Sequence, residues 1–206
     1  QPEIYNDVLD IAKNGIRPVS KKKYTFIDLF AGCGGLTEGF YRQNFIPLAH
    51  GEFDKSACAT LRKRMEYYGY KNVDKEVIEH DITDPEIISI VDQAVNGREV
   101  DIIIGGPPCQ AYSSAGRARD LHGMQNDPRN FLFESYVKIL NHYQPKIFVF
   151  ENVTGILTAK VQGKSIIKQV MGALSENYNV VSDYPQMLLN SVNYGVPQER
   201  KRIIII

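Results

Sequence analysis

Asp28-Leu29-Phe30-Ala31-Gly32-Cys33-Gly34-Gly35 takes an apolar, β-rich run at Thr25–Phe30 into a helical pattern over 35–43. A strand that turns through glycines into a helix N-terminus allows a ligand close to the backbone and points exposed N–H groups at it. The spacing stops short of a complete G-x-G-x-x-G because Thr37 holds the last position. Glu52, twenty residues beyond Gly32, closes the next strand pattern, where a carboxylate can accept from both hydroxyls of a ribose. Phe53 offers a ring for an adenine, and Asp81, at the end of the third strand pattern, an acceptor for an exocyclic amine. Singly, each also reads as a surface acid or a core aromatic. Together they mark the carboxyl ends of consecutive strands, where open α/β sheets bind ligands.

Outward from this stretch, apolar strand patterns alternate with helical ones. Strands are predicted at Thr25–Phe30, Ile46–Phe53, Val77–Ile82, Val100–Ile104, Ile147–Phe150, Val180–Leu189 and Arg202–Ile206, and helices near 35–43, 55–68, 85–95, 130–142 and 164–176. Nearly continuous runs such as Ile102-Ile103-Ile104 and Ile147-Phe148-Val149-Phe150 suit a sheet covered on both faces. The expected fold is a doubly wound, Rossmann-like α/β sheet. It should be parallel except for its last strand, because only a Gly195- and Pro197-containing loop separates the final two strand patterns.

The 206 residues are 43% hydrophobic, enough for one substantial core, with no repeat and no low-complexity tract. Residues 1–23 read as an arm, with a short helix on Ile4, Val8, Leu9, Ile11 and Ala12 and a basic linker at Lys21-Lys22-Lys23; residues 24–206 form the domain. Lys plus Arg and Asp plus Glu both total 24, so any nucleic-acid contact must come from local clustering or from chain outside this sequence. The apolar end at Ile203-Ile204-Ile205-Ile206 is expected to be the edge of a fragment. Three cysteines without a C-x-x-C pair favour neither a metal site nor a disulfide framework, and point to a reducing, cytoplasmic setting. No apolar run reaches the roughly 18 residues of a membrane span, and no signal peptide is visible.

Three further stretches carry chemistry. Gly105-Gly106-Pro107-Pro108-Cys109-Gln110 follows the Val100–Ile104 strand and presents Cys109 on a rigid turn, as a nucleophile would be presented; Cys33 and Cys58 lack such a setting and are expected to be packing residues. Glu151-Asn152-Val153 follows the Ile147–Phe150 strand, and a Glu151 kept protonated by burial could donate to a heterocyclic nitrogen. In Gln198-Glu199-Arg200-Lys201-Arg202, an extended chain would put Arg200 and Arg202 on one face and Glu199 and Lys201 on the other.

In this order, over about 24–206, these motifs resemble the C5-cytosine DNA methyltransferase family of bacterial restriction-modification systems. The resemblance implies a Rossmann-like methyltransferase fold and S-adenosylmethionine as methyl donor, leaving S-adenosylhomocysteine. It implies a donor site of Phe30, Ala31, Gly32, Gly34, Gly35, Leu36, Glu52, Phe53, Asp81, Ile82, Pro107 and Leu132, and a catalytic set of Cys109, Glu151, Arg200 and Arg202. Cys109 would add to C6 of a cytosine flipped out of double-stranded DNA, making C5 nucleophilic, and the Ala111–Asp127 segment with Arg117 and Arg119 would close over the base. A target-recognition region and a last family segment, both absent here, would follow. The implied protein is a metal-free monomer in the cytoplasm, nucleoid-associated when on DNA. A transfer-RNA cytosine-C5 methyltransferase and a non-catalytic cofactor-binding fragment are the alternatives these residues leave open.

Overall fold

The computed structural model describes residues 23–108, 131–181 and 183–206. The expected arm helix, Cys109, Gln110 and the Ala111–Asp127 segment with Arg117 and Arg119 lie outside the described residues.

The chain opens with β1 (Thr25–Leu29), α1 (Gly35–Arg42), β2 (Ile46–Glu52), α2 (Lys55–Tyr67), α3 (Val73–Glu76) and β3 (Val77–Glu79). It crosses through α4 (Ile87–Val95) to β4 (Ile102–Gly105), then continues through α5 (Leu132–Tyr143) to β5 (Ile147–Val153). A small hairpin, β6 (Lys160–Val161) and β7 (Lys164–Ser165), precedes α6 (Ile166–Ser175), the single turn α7 (Tyr184–Met187), β8 (Leu188–Asn190) and β9 (Lys201–Ile205).

The main sheet has the order β3-β2-β1-β4-β5-β9-β8. The ladders from β3 to β5 are parallel, whereas β9 runs antiparallel to both β5 and β8. Only β9 is reversed, as the short loop before it predicts. Strand order turns back on itself between β1 and β4, so the loops that leave these two strands flank the crevice where doubly wound sheets bind ligands.

Alternation along the strands builds a core on each face. Ile27, Leu29, Ile103, Phe148, Phe150, Ile203 and Ile205 pack with residues of α4, α5 and α6. On the other face Phe26, Ile102 and Ile104 meet Leu36 and Phe40 of α1, while Cys58, Leu61 and Met65 of α2 pack with Val73 and Val77. Tyr136 of α5 is fully buried against the first of these cores, and its hydroxyl donates to the Ile103 carbonyl at 3.1 Å.

Gly105 marks the tightest point. A Cβ there would stand 2.6 Å from the Leu29 carbonyl oxygen and 3.0 Å from the Tyr136 ring. Because the first obstacle is backbone, Gly105→Ala is expected to lower unfolding free energy by about 2–3 kcal/mol, read as a shift in the denaturant midpoint. An unchanged midpoint would show that β1 and β4 can part without cost.

At the opposite edge Asp101, only 3% exposed, accepts from the Thr25 amide at 2.9 Å, from the Thr25 hydroxyl and from Lys146. Burial raises this carboxyl, but the Lys146 and Thr25 bonds outweigh burial and hold it below the usual carboxylate range.

Several expected boundaries move. The Val77–Ile82 strand ends at Glu79, because the Asp81 side chain accepts from the Thr83 amide and hydroxyl, both at 2.8 Å, and turns the chain. The Val100–Ile104 strand becomes Ile102–Gly105, since the Asp101 amide bonds the Thr25 side chain instead of a ladder partner. Among the described residues of Val180–Leu189, Leu188 and Leu189 join the sheet, in β8; Pro185 cannot donate in a ladder and instead lies in the first turn of α7. The β6–β7 hairpin turns through Gln162 and Gly163, both at positive φ, and was not anticipated.

Candidate active site at the carboxyl edge of the sheet

The loop after β1 is shaped by three left-handed residues, Phe30 (φ 60°), Gly32 (φ 55°) and Gly34 (φ 84°). The positive φ at Phe30, a bulky residue, is a strained conformation that surrounding contacts must hold. Those contacts are visible: the Ala31 amide donates to the Gly51 carbonyl at 3.1 Å, and the Gly34 amide to the Ala31 carbonyl at 2.8 Å. Arg64 donates to the Cys33 carbonyl at 2.7 Å and pairs with Glu38 of α1. Cys33 is exposed, contrary to the expected packing role, because flanking glycines turn it outward; Cys58 is buried as expected.

Glu52 ties this loop to β2. One oxygen accepts from the Gly32 amide at 2.7 Å, the other from the Phe53 and Asp54 amides at 2.8 and 2.7 Å. The residue that the spacing offers to a ribose is therefore also the brace of the glycine turn. Asp54 caps α2 by accepting from the Ala57 amide at 2.7 Å, and Phe53 beside it is 73% exposed. Asp81 is exposed and lies in the turn after β3 rather than within the strand; Ile82 packs onto the main core. Gly35 is exposed, Leu36 is half-buried against Phe26, and Leu132 opens α5 at the same sheet edge.

The second half of the site lies across the switch point. Glu151 and Arg202 are diagonal neighbours on β5 and β9, with Arg202 Nε 2.8 Å from Glu151 Oε1. Both side chains are 24% exposed. Glu151 thus faces the Arg202 guanidinium through one of its two oxygens. Its other oxygen lies over Gly106, where a Cβ would stand 2.8 Å away. Pro107 is buried, and its carbonyl accepts from Asn152 Nδ2 at 3.2 Å, so the Glu151-Asn152 pair grips the chain leading towards Cys109 from two sides.

Arg200 does not join this pair. It precedes β9, is exposed, and its carbonyl accepts from the Ser191 amide at 3.1 Å. Glu199 and Lys201 meet each other at 3.1 Å, as the expected alternation requires. Asp28, Thr37, His50, Gly106 and Asn152 went unassigned in the sequence, although four of them lie within or beside the motifs. Among the described residues no group of three or more His, Cys, Asp or Glu side chains is placed to hold a metal, and no helix is long and apolar enough to cross a membrane.

A glycine turn after β1, an acid closing β2 and a second loop after β4 define the Rossmann-like methyltransferase class. Residues 24–206 match the C-5 cytosine-specific DNA methylase family, and the chain belongs to that family. It is 40% identical over 182 residues to the type II methyltransferase M.DdeI of Desulfomicrobium norvegicum, covering 87% of this chain and 39% of that protein. It is 34% identical over 234 residues to M.Bpa9945I of Bacillus paralicheniformis, covering 87% of this chain and 52% of the relative. The chain therefore spans about half or less of the length of these relatives. A crystal structure described as a prophage-encoded DNA modification methyltransferase (E. coli) superposes with a TM-score of 0.67 at 28% identity, over 89% of this chain and 46% of that one.

S-adenosylmethionine is the cofactor of the family, and the described residues suit it. A Cβ at Gly32 or Gly35 would meet nothing within 4 Å, so the glycine loop borders open space, with the Glu52 carboxylate bonded to it and the exposed Phe53 ring following Glu52.

Proposed function

We propose that this chain, within a protein of its relatives' length, methylates C5 of cytosine in double-stranded DNA. The observation that carries this reading is the meeting of two sites at one switch point. The Glu52-braced glycine loop leaves β1, and the Gly106-Pro107 segment, gripped by Glu151 and Asn152, leaves β4.

S-adenosylmethionine supplies an electrophilic methyl group on a sulfonium. Glu52 accepts from a ribose hydroxyl with the Oε2 lone pair that its three amide bonds leave, Phe53 stacks on the adenine, and Asp81 accepts from its amine. Phe30, Ala31, Gly32, Gly34, Gly35 and Leu36 form the floor, with Ile82, Pro107 and Leu132 as apolar walls.

Cytosine C5 is too electron-poor to attack a methyl unaided. The Cys109 thiolate adds to C6, and electron density moves through the ring towards C5 and N3. N3 takes a proton from the Glu151 carboxyl, leaving the carboxylate that Arg202 and the space over Gly106 accommodate, and returns it when the thiolate leaves. Arg200, free of that pair, holds the base O2. After transfer a base removes the C5 proton and the thiolate leaves. The target base must be extruded from the duplex to reach these groups.

A direct test offers equal amounts of duplex DNA and transfer RNA to the protein with methyl-labelled donor and hydrolyses the products. Label in 5-methylcytosine from DNA is expected. Label confined to RNA would favour the relative that methylates transfer RNA, and label at an exocyclic amine would overturn the C5 reading.

A further inference from the structure

Asp28 and His50 are Cα partners in the parallel β1–β2 ladder, so their side chains leave the sheet side by side, on the α1 face. Both are fully buried. Thr37, in the first turns of α1, donates to Asp28 Oδ2 at 2.5 Å, while Asp28 Oδ1 has no hydrogen-bond partner among the described residues. An enclosed acid with a single side-chain donor is poorly suited to carry charge. Burial pushes Asp28 up to about 7 against the Thr37 hydroxyl and amide, and the Glu52 carboxylate adds to the rise.

Among the described residues, His50 and Tyr136, the other titratable groups set against Asp28, are neutral near pH 7. Burial drives His50 down to about 4, with the Glu76 backbone opposing. Burial holds the Tyr136 phenol, from α5, well above its ordinary value. On β4 the register partner of Asp28 is Ile104. Glu52 is thus the charge that Asp28 feels, and Glu52 is bonded to the Gly32 amide of the donor loop. A cation held by that loop acts on Asp28 with the opposite sign.

We propose that Asp28 couples occupation of the glycine loop to loss of its own proton, so that the loop favours a cationic sulfonium over the neutral thioether product as pH rises. This rests on the reading that the loop carries the methyl donor. The sign follows from linkage: binding that stabilises the carboxylate strengthens as pH rises and levels off above the value of the free protein, about 7. Asp28 touches neither ligand and acts as a positioning residue through the loop and Glu52.

Titration calorimetry of a family-length protein carrying this chain with S-adenosylmethionine and with S-adenosylhomocysteine, in buffers of different ionisation enthalpy, reads this directly. Near pH 7 the sulfonium ligand is expected to release about half a proton, and its affinity to rise about five- to tenfold from pH 6 to 8. Both ligands carry an α-amino group that itself titrates near pH 8, so the deciding quantity is the difference between native protein and Asp28→Asn. That variant keeps the size and an acceptor for Thr37 but has no proton to lose; the release should vanish and the pH dependence flatten. Thr37→Val removes a bond that favours the carboxylate and should move the window to higher pH. Equal linkage for both ligands, or linkage unchanged in Asp28→Asn and Thr37→Val, would overturn the Asp28 inference alone. Failure of both ligands to bind would remove the donor-loop reading with it.

Discussion

Cys109→Ser is expected to abolish methyl transfer in a family-length protein carrying this chain, while affinity for the methyl donor stays within about twofold. A serine hydroxyl is far less acidic than a thiol and supplies no comparable nucleophile at neutral pH. The donor-side geometry does not depend on the sulfur: the glycine loop is held by Glu52, by Gly51 and through Arg64. On the proposed reading, approach to C6 is set instead by Gly106 and Pro107, which Glu151 and Asn152 contact from β5. Turnover by purified Cys109→Ser within tenfold of native would show that the covalent step is not required.

Glu52→Ala is expected to weaken donor affinity by about 1.5–3 kcal/mol, roughly 10- to 150-fold, through loss of charge-assisted hydrogen bonds. The three backbone amides that Glu52 accepts from place the effect towards the upper end, since alanine also releases the turn at Gly32. Glu52→Gln should fall between, because its amide nitrogen would confront a backbone N–H where the carboxylate accepts. Calorimetry with S-adenosylhomocysteine avoids turnover and checks both variants. Native affinity in Glu52→Ala would detach the ribose assignment from this residue.

Much of the scaffold is written in local pattern. The Thr25–Leu29 run into glycines, the apolar β4 and β5, and the reversed β9 all follow from periodicity and turn residues over short windows. The features that escaped depend on contacts between distant segments. Asp28 meets His50 only because the β1–β2 register shifts between Phe26 and Ile27, which no strand pattern reveals. Arg202 comes to stand beside Glu151 only when β9, some fifty residues later, pairs with β5. Asn152 and Gly106 sit inside the quoted motifs, yet their work, holding the Pro107 carbonyl and leaving room for the Glu151 carboxylate, appears only when β4 and β5 are paired. Val180–Leu189 failed for a local reason: Pro185 weighed too little against its apolar neighbours.

The proposed chemistry requires a covalent bond between Cys109 and a cytosine in DNA. Duplex DNA carrying 5-fluorocytosine in the recognised sequence, incubated with protein and S-adenosylmethionine, tests it, because fluorine at C5 cannot leave as the proton does. A complex that survives denaturing electrophoresis, maps to the Cys109 peptide and is absent from Cys109→Ser is the predicted result. Turnover of ordinary DNA without any such complex would contradict the covalent mechanism. A complex that persists in Cys109→Ser and maps to Cys58 or to the exposed Cys33 would place the nucleophile elsewhere.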